Sequence, residues 1–165
     1  MSMTIYGIGG VSGTGKTHFR TSCEGFRDVR VLDIADVYEE SLAQGHPDLH
    51  WRTALKVFQG RVLGWLEEDR SSDIVLEAFF RPDGAQRQAI EAIARDVGVD
   101  VIWGWAWAPR ADCLSRVSNE RGGHDSSERR QKRLSFIRTA ESSFFRERPE
   151  ESLASLATRA PTSQT

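Results

Sequence analysis

The chain is 165 residues long, with 39% hydrophobic residues, 28% charged residues and a net charge of −2. This length suits one domain with a sizeable core. The near-neutral charge argues against a general polyanion-binding surface, which usually makes a domain strongly basic. No apolar stretch approaches the roughly 20 residues that span a bilayer, and no signal peptide is apparent. Because the two cysteines form no metal or disulfide pattern, we expect a reduced, cytoplasmic protein without membrane contact.

Predicted strands and helices alternate along the chain. Short apolar runs rich in β-branched and aromatic residues predict strands over 4–8, 29–33, 73–77 and 99–107. Apolar residues at helical spacing and glycine stops predict helices over 16–23, 36–44, 48–70, 83–96, 110–121 and about 126–146. This alternation predicts an α/β fold with a parallel sheet covered by helices on both faces.

The most specific motif follows the first predicted strand and matches the pattern G-x-x-x-x-G-K-[ST] in full. It consists of Gly10, Val11, Ser12, Gly13, Thr14, Gly15, Lys16 and Thr17. The glycines let the backbone turn tightly, so that successive N–H groups can surround phosphate oxygens. The lysine can reach the β- and γ-phosphates, and the threonine hydroxyl can bind Mg²⁺. A strand before the motif and a helix after it are the setting that a phosphate-binding loop needs.

Carboxylates that follow the strands are the next candidates, since ligands of open parallel sheets bind beyond the carboxyl ends of the strands. Asp33 and Asp36 follow the second strand. Either could accept a proton from an acceptor hydroxyl or hold that hydroxyl in line, and Asp36 could instead cap the next helix. Glu77 ends the third strand and could bind Mg²⁺ through water or bind the acceptor.

Arginines form a second group of candidates. Arg81 and Arg87 follow the third strand and could hold an anionic group of the acceptor. Arg116 and Arg121 lie where a predicted helix runs into two glycines, which suggests a lid that closes over phosphates. A lid arginine would neutralise charge in a transition state. For the run from Arg129 to Arg133, a solvated helix face is favoured.

With these motifs the sequence resembles the small P-loop kinases, in particular the polynucleotide-kinase-like and zeta-toxin-like group. The resemblance rests on residues 10–17, 31–36, 74–79 and 113–122, the last followed by a helix ending at 144–150. It implies a three-layer α/β/α P-loop NTPase fold with a helical lid. We expect the kinase domain over 1–150, with the lid at about 110–148, and a partly disordered C-terminal tail over 151–165.

The resemblance also implies a reaction: binding of ATP (or GTP) with Mg²⁺ and transfer of the γ-phosphoryl group to a hydroxyl. Lys16 and Thr17 match the phosphate and magnesium positions. Asp33 or Asp36 matches the acceptor-orienting aspartate, and Arg121, with Arg116, matches the lid arginine. The family sheet has the order 2-3-1-4-5, but residues 153–158 are only a weak candidate for the fifth strand. Either that strand is degenerate or the sheet has four strands.

The acceptor stays open at this point: a small molecule, a nucleoside or nucleotide, or a nucleic-acid 5′ end. Two other functions also stay open. One is a nucleotide-binding regulatory protein that acts as an ATP-dependent switch. The other is a toxin-like kinase that acts on a nucleotide-sugar.

Overall fold

The computed structural model describes residues 2–46, 49–120 and 127–162. The strands are Thr4–Gly9 (β1), Arg30–Asp33 (β2), Ile74–Glu77 (β3) and Asp100–Trp105 (β4). The α-helices are Lys16–Ser22 (α1), Ile34–Ala43 (α2), Trp51–Glu68 (α3), Ala85–Val97 (α4), Arg110–Ser118 (α5), Ser127–Thr139 (α6) and Leu153–Arg159 (α7). Short 3-10 turns cover Glu24–Phe26, Ser142–Phe145 and Pro149–Glu151. The structure thus confirms the predicted alternation of strands and helices.

The sheet is parallel throughout and has the order β2-β3-β1-β4. This matches the first four positions of the expected order. In the strand register, Glu77 at the end of β3 lies opposite both Ile8 of β1 and Asp33 of β2. Because these strands end at the same edge, the loop after β1 and the carboxylates that end β2 and β3 come together there.

The fifth strand is replaced by a helix in the described residues. Residues 153–158 belong to α7, and only an isolated parallel bridge joins Ser152 to Trp105 of β4. Leu156 is buried over Gly104, where an added Cβ would lie 2.7 Å from the leucine Cδ2. The hydroxyl of Tyr6 donates to the carbonyl of Arg159 over 2.9 Å. The expected tail therefore contains a helix that covers the sheet.

The two faces of the sheet bury separate apolar clusters. On one face, Ile5, Leu32 and Leu76 pack with side chains of α2, α3 and α4, among them Phe58 and Ile90. On the other face, the cluster consists of Tyr6, Ile8, Phe26, Val75 and Leu156, with partly buried side chains of α1 and α7 around it. This arrangement is the predicted three-layer α/β/α architecture.

Helices α5 and α6 form a third apolar cluster that reaches the loop after β1 through Val11. The predicted long helix ends at Thr139. The guanidinium of Arg110 donates to the carbonyls of Ile137 and Ala140, so it satisfies backbone oxygens that the helix end leaves open. The chain then turns back, and Phe145 packs under Arg110, whose Cζ lies 4.4 Å from the ring centroid.

Two further points concern single helices. Helix α3 begins after His50, whose Nδ1 accepts from the backbone N–H of Arg52 at 3.2 Å. Asp48, where the sequence predicts this helix to begin, lies outside the described residues. Over the described ranges, no helix is both long enough and apolar enough to cross a bilayer.

Close packing of β1 against Trp103 generates the first prediction. A Cβ on Gly7 would lie 2.1 Å from two ring carbons of Trp103, and that ring is held by a hydrogen bond to Glu91. We expect Gly7→Ala to lower the free energy of unfolding by about 1–3 kcal/mol through overpacking. Urea denaturation followed by circular dichroism measures this change.

The matched control is Gly60→Ala in α3, where a Cβ would meet no atom within 4 Å. Alanine should stabilise this exposed helical position by about 0.5–1 kcal/mol, because it restricts the unfolded chain. Equal stabilities of the two variants would contradict the described packing of β1 on β4.

Candidate functional site

The glycine loop, residues 10–17, runs from β1 into α1 and is fixed on both sides. The N–H of Gly10 donates to the carbonyl of Phe79 after β3 over 2.9 Å. Gly13 has a φ of +83°, and a Cβ there would lie 2.8 Å from the carbonyl oxygen of Cys113 in α5. Both the positive φ and the close approach of α5 require glycine at this position.

Lys16 extends back across the loop. Its Nζ donates to the carbonyl of Gly10 at 2.7 Å and to that of Val11 at 3.1 Å. Burial lowers the pKa of this ammonium group, and the carboxylates of Glu77 and Asp33 oppose that shift. A positive charge is thus held within the turn of the loop, where phosphate oxygens would enter.

Glu77 connects the sheet to the start of α1. Its side chain is buried; Oε1 accepts from Thr17 Oγ1 over 2.5 Å, and Oε2 accepts from Arg20 Nε over 2.7 Å. A second nitrogen of Arg20 lies 3.9 Å from Asp33 Oδ2. Sequence reasoning missed Arg20. Its position one helical turn after Thr17 could have signalled it, since residues i and i+3 share a helix face.

Asp33 and Asp36 have different surroundings. Asp33 caps α2, with Oδ1 accepting from the N–H of Ala35 over 2.9 Å, and it lines the cleft described below. Burial, and next the negative charge of Glu77, raises the pKa of Asp33 to about 6. Asp36 is exposed in the first turn of α2 and does not line the cleft. The capping role considered for Asp36 therefore belongs to Asp33.

Two arginines of α5 and α6 contact the glycine loop. Arg116 donates to the carbonyl of Gly13 over 2.8 Å. Arg133 donates from Nε to Ser12 Oγ at 3.2 Å and holds both carboxylate oxygens of Glu120 through its terminal nitrogens, at 2.8 and 3.0 Å. The predicted solvated face was wrong for Arg133, which lies one turn before the buried Ile137 on the same helix face. Arg121 lies outside the described residues.

The structure does not bring Arg81 or Arg87 to the cleft. Arg87 is 3% exposed, donates to the carbonyl of Phe80 at 2.9 Å and pairs with Glu151 at 2.6 Å. It thereby fixes the chain after β3, where Phe80 has a φ of +46°. Arg81 is exposed beside Glu141. The acceptor-binding role predicted for these two arginines gains no support, because neither side chain lines the cleft. The sequence could not reveal the role of Arg87, because its partner Glu151 is 64 residues away.

A cleft of about 860 Å³ lies over the carboxyl edge of the sheet. The lining combines the glycine loop with Asp33, Glu77, Arg116 and Arg133. It also includes apolar and aromatic side chains, which we call the aromatic lining: Tyr38, Leu49, Trp51, Leu55, Phe79 and Phe136. The sequence shows no motif in residues 37–70, so it did not predict the part of the aromatic lining that comes from this segment.

The donors near Lys16 fit a magnesium ion that arrives with a nucleotide. The hydroxyl of Thr17 and the carboxylates of Glu77 and Asp33 are the hard oxygen donors that Mg²⁺ takes. Within residues 2–46, 49–120 and 127–162, no group of three or more His, Cys, Asp or Glu side chains could hold a metal.

Comparisons with known proteins place the fold. No protein-family model and no curated protein matches the sequence. Among solved structures, a putative kinase from Chloroflexus aurantiacus matches with a TM-score of 0.63 and 17% identity over 90% of this chain and 84% of its own. The APS kinase of Mycobacterium tuberculosis matches with a TM-score of 0.59 and 18% identity, over 96% of this chain and 95% of its own. The shikimate kinase of Acinetobacter baumannii matches with a TM-score of 0.54 and 13% identity, over 95% of this chain and 90% of its own. The chain therefore has the α/β fold of these P-loop kinases.

The raised pKa of Asp33 predicts how stability depends on pH. Since the folded protein holds this proton more tightly than the unfolded chain does, the stabilisation from protonated Asp33 is present at low pH. It is lost as the pH rises from about 4 through about 6. Between pH 5 and pH 7.5 we expect the nucleotide-free wild type to lose about 1 kcal/mol more unfolding free energy than Asp33→Asn.

Chemical denaturation of both proteins at the two pH values measures this difference. Asparagine keeps a side-chain oxygen for the N–H of Ala35, so the helix cap is preserved in the variant. Parallel losses in the two proteins would show that Asp33 titrates near its ordinary pKa.

Proposed function

We propose that the protein is a kinase that transfers the γ-phosphoryl group of ATP to a hydroxyl of a small molecule. One observation carries this proposal. The loop lysine and threonine, the carboxylates of Asp33 and Glu77, and the arginines of α5 and α6 line one cleft at the carboxyl edge of the sheet. Phosphoryl transfer needs these parts: a phosphate cradle, oxygen donors for Mg²⁺, a group that orients the acceptor, and positive charge for the transferring group.

The glycine loop and Lys16 would hold the β- and γ-phosphates. Thr17 would bind Mg²⁺ directly, and Glu77, which already accepts from the Thr17 hydroxyl, would bind it through water. The ion, when bound, neutralises charge that develops on the transferring phosphoryl group. Arg20 pairs with Glu77 and would keep that carboxylate oriented.

Asp33 is the carboxylate we assign to the acceptor. It lines the cleft, whereas Asp36 does not. A pKa of about 6 leaves Asp33 ionised at neutral pH and makes it a better proton acceptor than an ordinary aspartate. It would accept the proton of the attacking hydroxyl and hold that oxygen in line with the γ-phosphorus.

Arg116 and Arg133 would stabilise the negative charge on the transferring group. Both already contact the glycine loop, at Gly13 and Ser12 respectively. The bidentate pair with Glu120 fixes the guanidinium plane of Arg133, so Glu120 acts as a positioning residue. Arg121, as a further lid arginine, stays a proposal that rests on the family resemblance.

The shape of the cleft favours a small molecule over a nucleic-acid end. The Cζ of Arg129 in α6 lies 4.2 Å from the ring centroid of Tyr38 in α2, so the two helices meet across the cleft. A cleft of about 860 Å³ that is bridged by this contact suits a compact acceptor. No specific observation favours the regulatory switch or the nucleotide-sugar kinase.

The first test of the kinase is transfer of label from γ-labelled ATP with Mg²⁺, to small metabolites and to a 5′-hydroxyl oligonucleotide in separate reactions. We expect label in the small-molecule pool. Lys16→Met should reduce this transfer at least about 100-fold, because it removes a charge on the transferring phosphates. Lys56→Met is the matched control, since Lys56 is an exposed lysine of α3 outside the cleft.

Label in the oligonucleotide alone would contradict the small-molecule acceptor and leave the kinase standing. Full activity of Lys16→Met would contradict the kinase mechanism. ATP binding without any transfer, together with a partner whose affinity changes with nucleotide, would support the regulatory switch. Growth arrest on expression that Lys16→Met relieves would support the toxin-like kinase.

A second test concerns Arg133 of α6. We expect Arg133→Ala to lower kcat about 100-fold or more while the KM for ATP changes little, because the lost charge acts mainly in the transition state. Glu120→Gln should lower kcat less, since it loosens the guanidinium without removing it. Arg138→Ala, an exposed arginine of the same helix outside the cleft, is the control. Equal kcat values for the two alanine variants would exclude Arg133 from the chemistry.

A further inference from the structure

The turn after β3 contains a strained residue. Phe80 has a φ of +46°, in the left-handed region that bulky side chains rarely adopt. Its ring is buried and packs against Phe58 and Trp103, with ring centroids 5.9 and 5.0 Å apart. A strained backbone of this kind persists only where its surroundings hold it, and such residues cluster at binding and catalytic sites. Because Phe79 lines the cleft, the strain at Phe80 lies directly beside the candidate site.

Arg87 of α4 holds this turn from the buried side. Its Nε donates to the carbonyl of Phe80 over 2.9 Å, and its Nη1 donates to Glu151 Oε1 over 2.6 Å. The Cζ lies 4.7 Å from the ring centroid of Trp103. Charged groups are rarely buried this far unless their partners compensate the lost hydration. The guanidinium therefore joins the strained turn to the 3-10 turn Pro149–Glu151.

The same strained turn holds the start of the glycine loop. The carbonyl of Phe79 accepts from the N–H of Gly10 over 2.9 Å. A Cβ on Gly9 would lie 3.0 Å from that carbonyl oxygen and 3.1 Å from the Cβ of Phe80, so the two segments are in close contact. The Phe79 carbonyl belongs to the planar peptide unit that the φ of Phe80 orients. The direction of this hydrogen-bond acceptor therefore depends on the conformation of Phe80.

We propose that Arg87 is a positioning residue for nucleotide binding. Through the turn at Phe79 and Phe80, it holds the glycine loop in the shape that receives phosphates. This inference rests on the proposed function, in which the glycine loop binds ATP. A loop that is already organised loses less freedom when the phosphates bind, so the affinity is higher. Arg87 does not line the cleft, so its effect on a ligand there passes through the backbone.

Native-state hydrogen exchange tests this chain of contacts in the nucleotide-free protein. Arg87→Lys keeps a positive charge opposite Glu151, but an ammonium group lacks the fork that serves Phe80 and Glu151 together. We expect the N–H of Gly10 to exchange at least about tenfold faster in this variant, because its acceptor is no longer held. Nuclear magnetic resonance measures the rate.

The N–H of Ala106 is the internal control for this measurement. It donates to the carbonyl of Gly9 over 2.7 Å from the end of β4, on the other side of the loop start. No contact in this pair comes from the turn that Arg87 holds. Its exchange rate should therefore stay at the wild-type value in Arg87→Lys.

Isothermal titration calorimetry with a non-hydrolysable ATP analogue and Mg²⁺ measures the effect on binding. We expect Arg87→Lys to weaken this binding about tenfold, because part of the binding free energy then goes into ordering the loop. Glu151→Ala should act in the same direction, since it removes the carboxylate that holds Nη1 of Arg87. It gives the same test if Arg87→Lys does not fold. The matched control is Glu150→Ala, because Glu150 is exposed and pairs with Arg148 at 3.2 Å.

Wild-type affinity for the ATP analogue in Arg87→Lys would overturn the inference, whatever the exchange rates. Equally faster exchange at Gly10 and Ala106 would also overturn it, because Arg87 would then support the stability of the whole region. Equal effects of Glu151→Ala and Glu150→Ala on binding would remove the contact with Arg87 as the cause.

The labelled-ATP assay keeps this inference apart from the kinase. Suppose that Gly10 exchange and analogue affinity depend on Arg87, but no acceptor receives label. The positioning role would then stand, and the kinase would be refuted. Conversely, transfer at the wild-type rate in Arg87→Lys, with unchanged exchange at Gly10, would refute the positioning role and leave the kinase standing.

Discussion

The buried carboxylate of Glu77 is the constraint on which the site depends. Burying a charge costs several kcal/mol unless charged or hydrogen-bonding partners compensate it. Here both partners, Thr17 and Arg20, come from α1, and the register of the sheet places Glu77 opposite β1 and β2 at once. The start of α1 is therefore fixed to the end of β3, and the glycine loop must close between two fixed points. The loop is organised before any phosphate arrives.

Local patterns were enough to predict the fold and the position of the glycine loop beside the carboxylates that end β2 and β3. Strands that are buried on both faces have continuous apolar runs in their sequence. A motif of consecutive residues can be recognised without knowledge of a distant partner. Parallel topology then brings the residues at strand ends together, which is why Asp33 and Glu77 could be proposed without coordinates. The sequence could not decide whether a fifth strand exists. Residues 153–158 form α7 instead, because Leu156 packs on Gly104 of β4, and the sequence does not show this distant contact.

Arginines on helices were the weakest point of the sequence analysis, for a physical reason. Whether a guanidinium is solvated or engaged depends on what lies opposite it, and that partner is far away in sequence. Arg87 pairs with Glu151, 64 residues away, and Arg133 contacts Ser12, 121 residues away. Helical spacing reveals which residues share a face, but not which face meets the rest of the protein. The same limit explains why Arg133 was placed on a solvated face and Arg87 in the acceptor site.

Some residues that line the cleft are consecutive in the sequence, and others are dispersed along it. Groups that would handle phosphate lie in one short loop and at two strand ends, and they would serve any acceptor. The aromatic lining draws on α2, the start of α3, the segment after β3 and α6, so no single stretch of sequence contains it. Trp51 and Phe136 leave 51% and 42% of their surfaces exposed, and this exposed part adds nothing to the burial that stabilises the fold. The residues that would distinguish one acceptor from another are therefore dispersed along the chain, and this is why a local motif can indicate the reaction but cannot identify the acceptor.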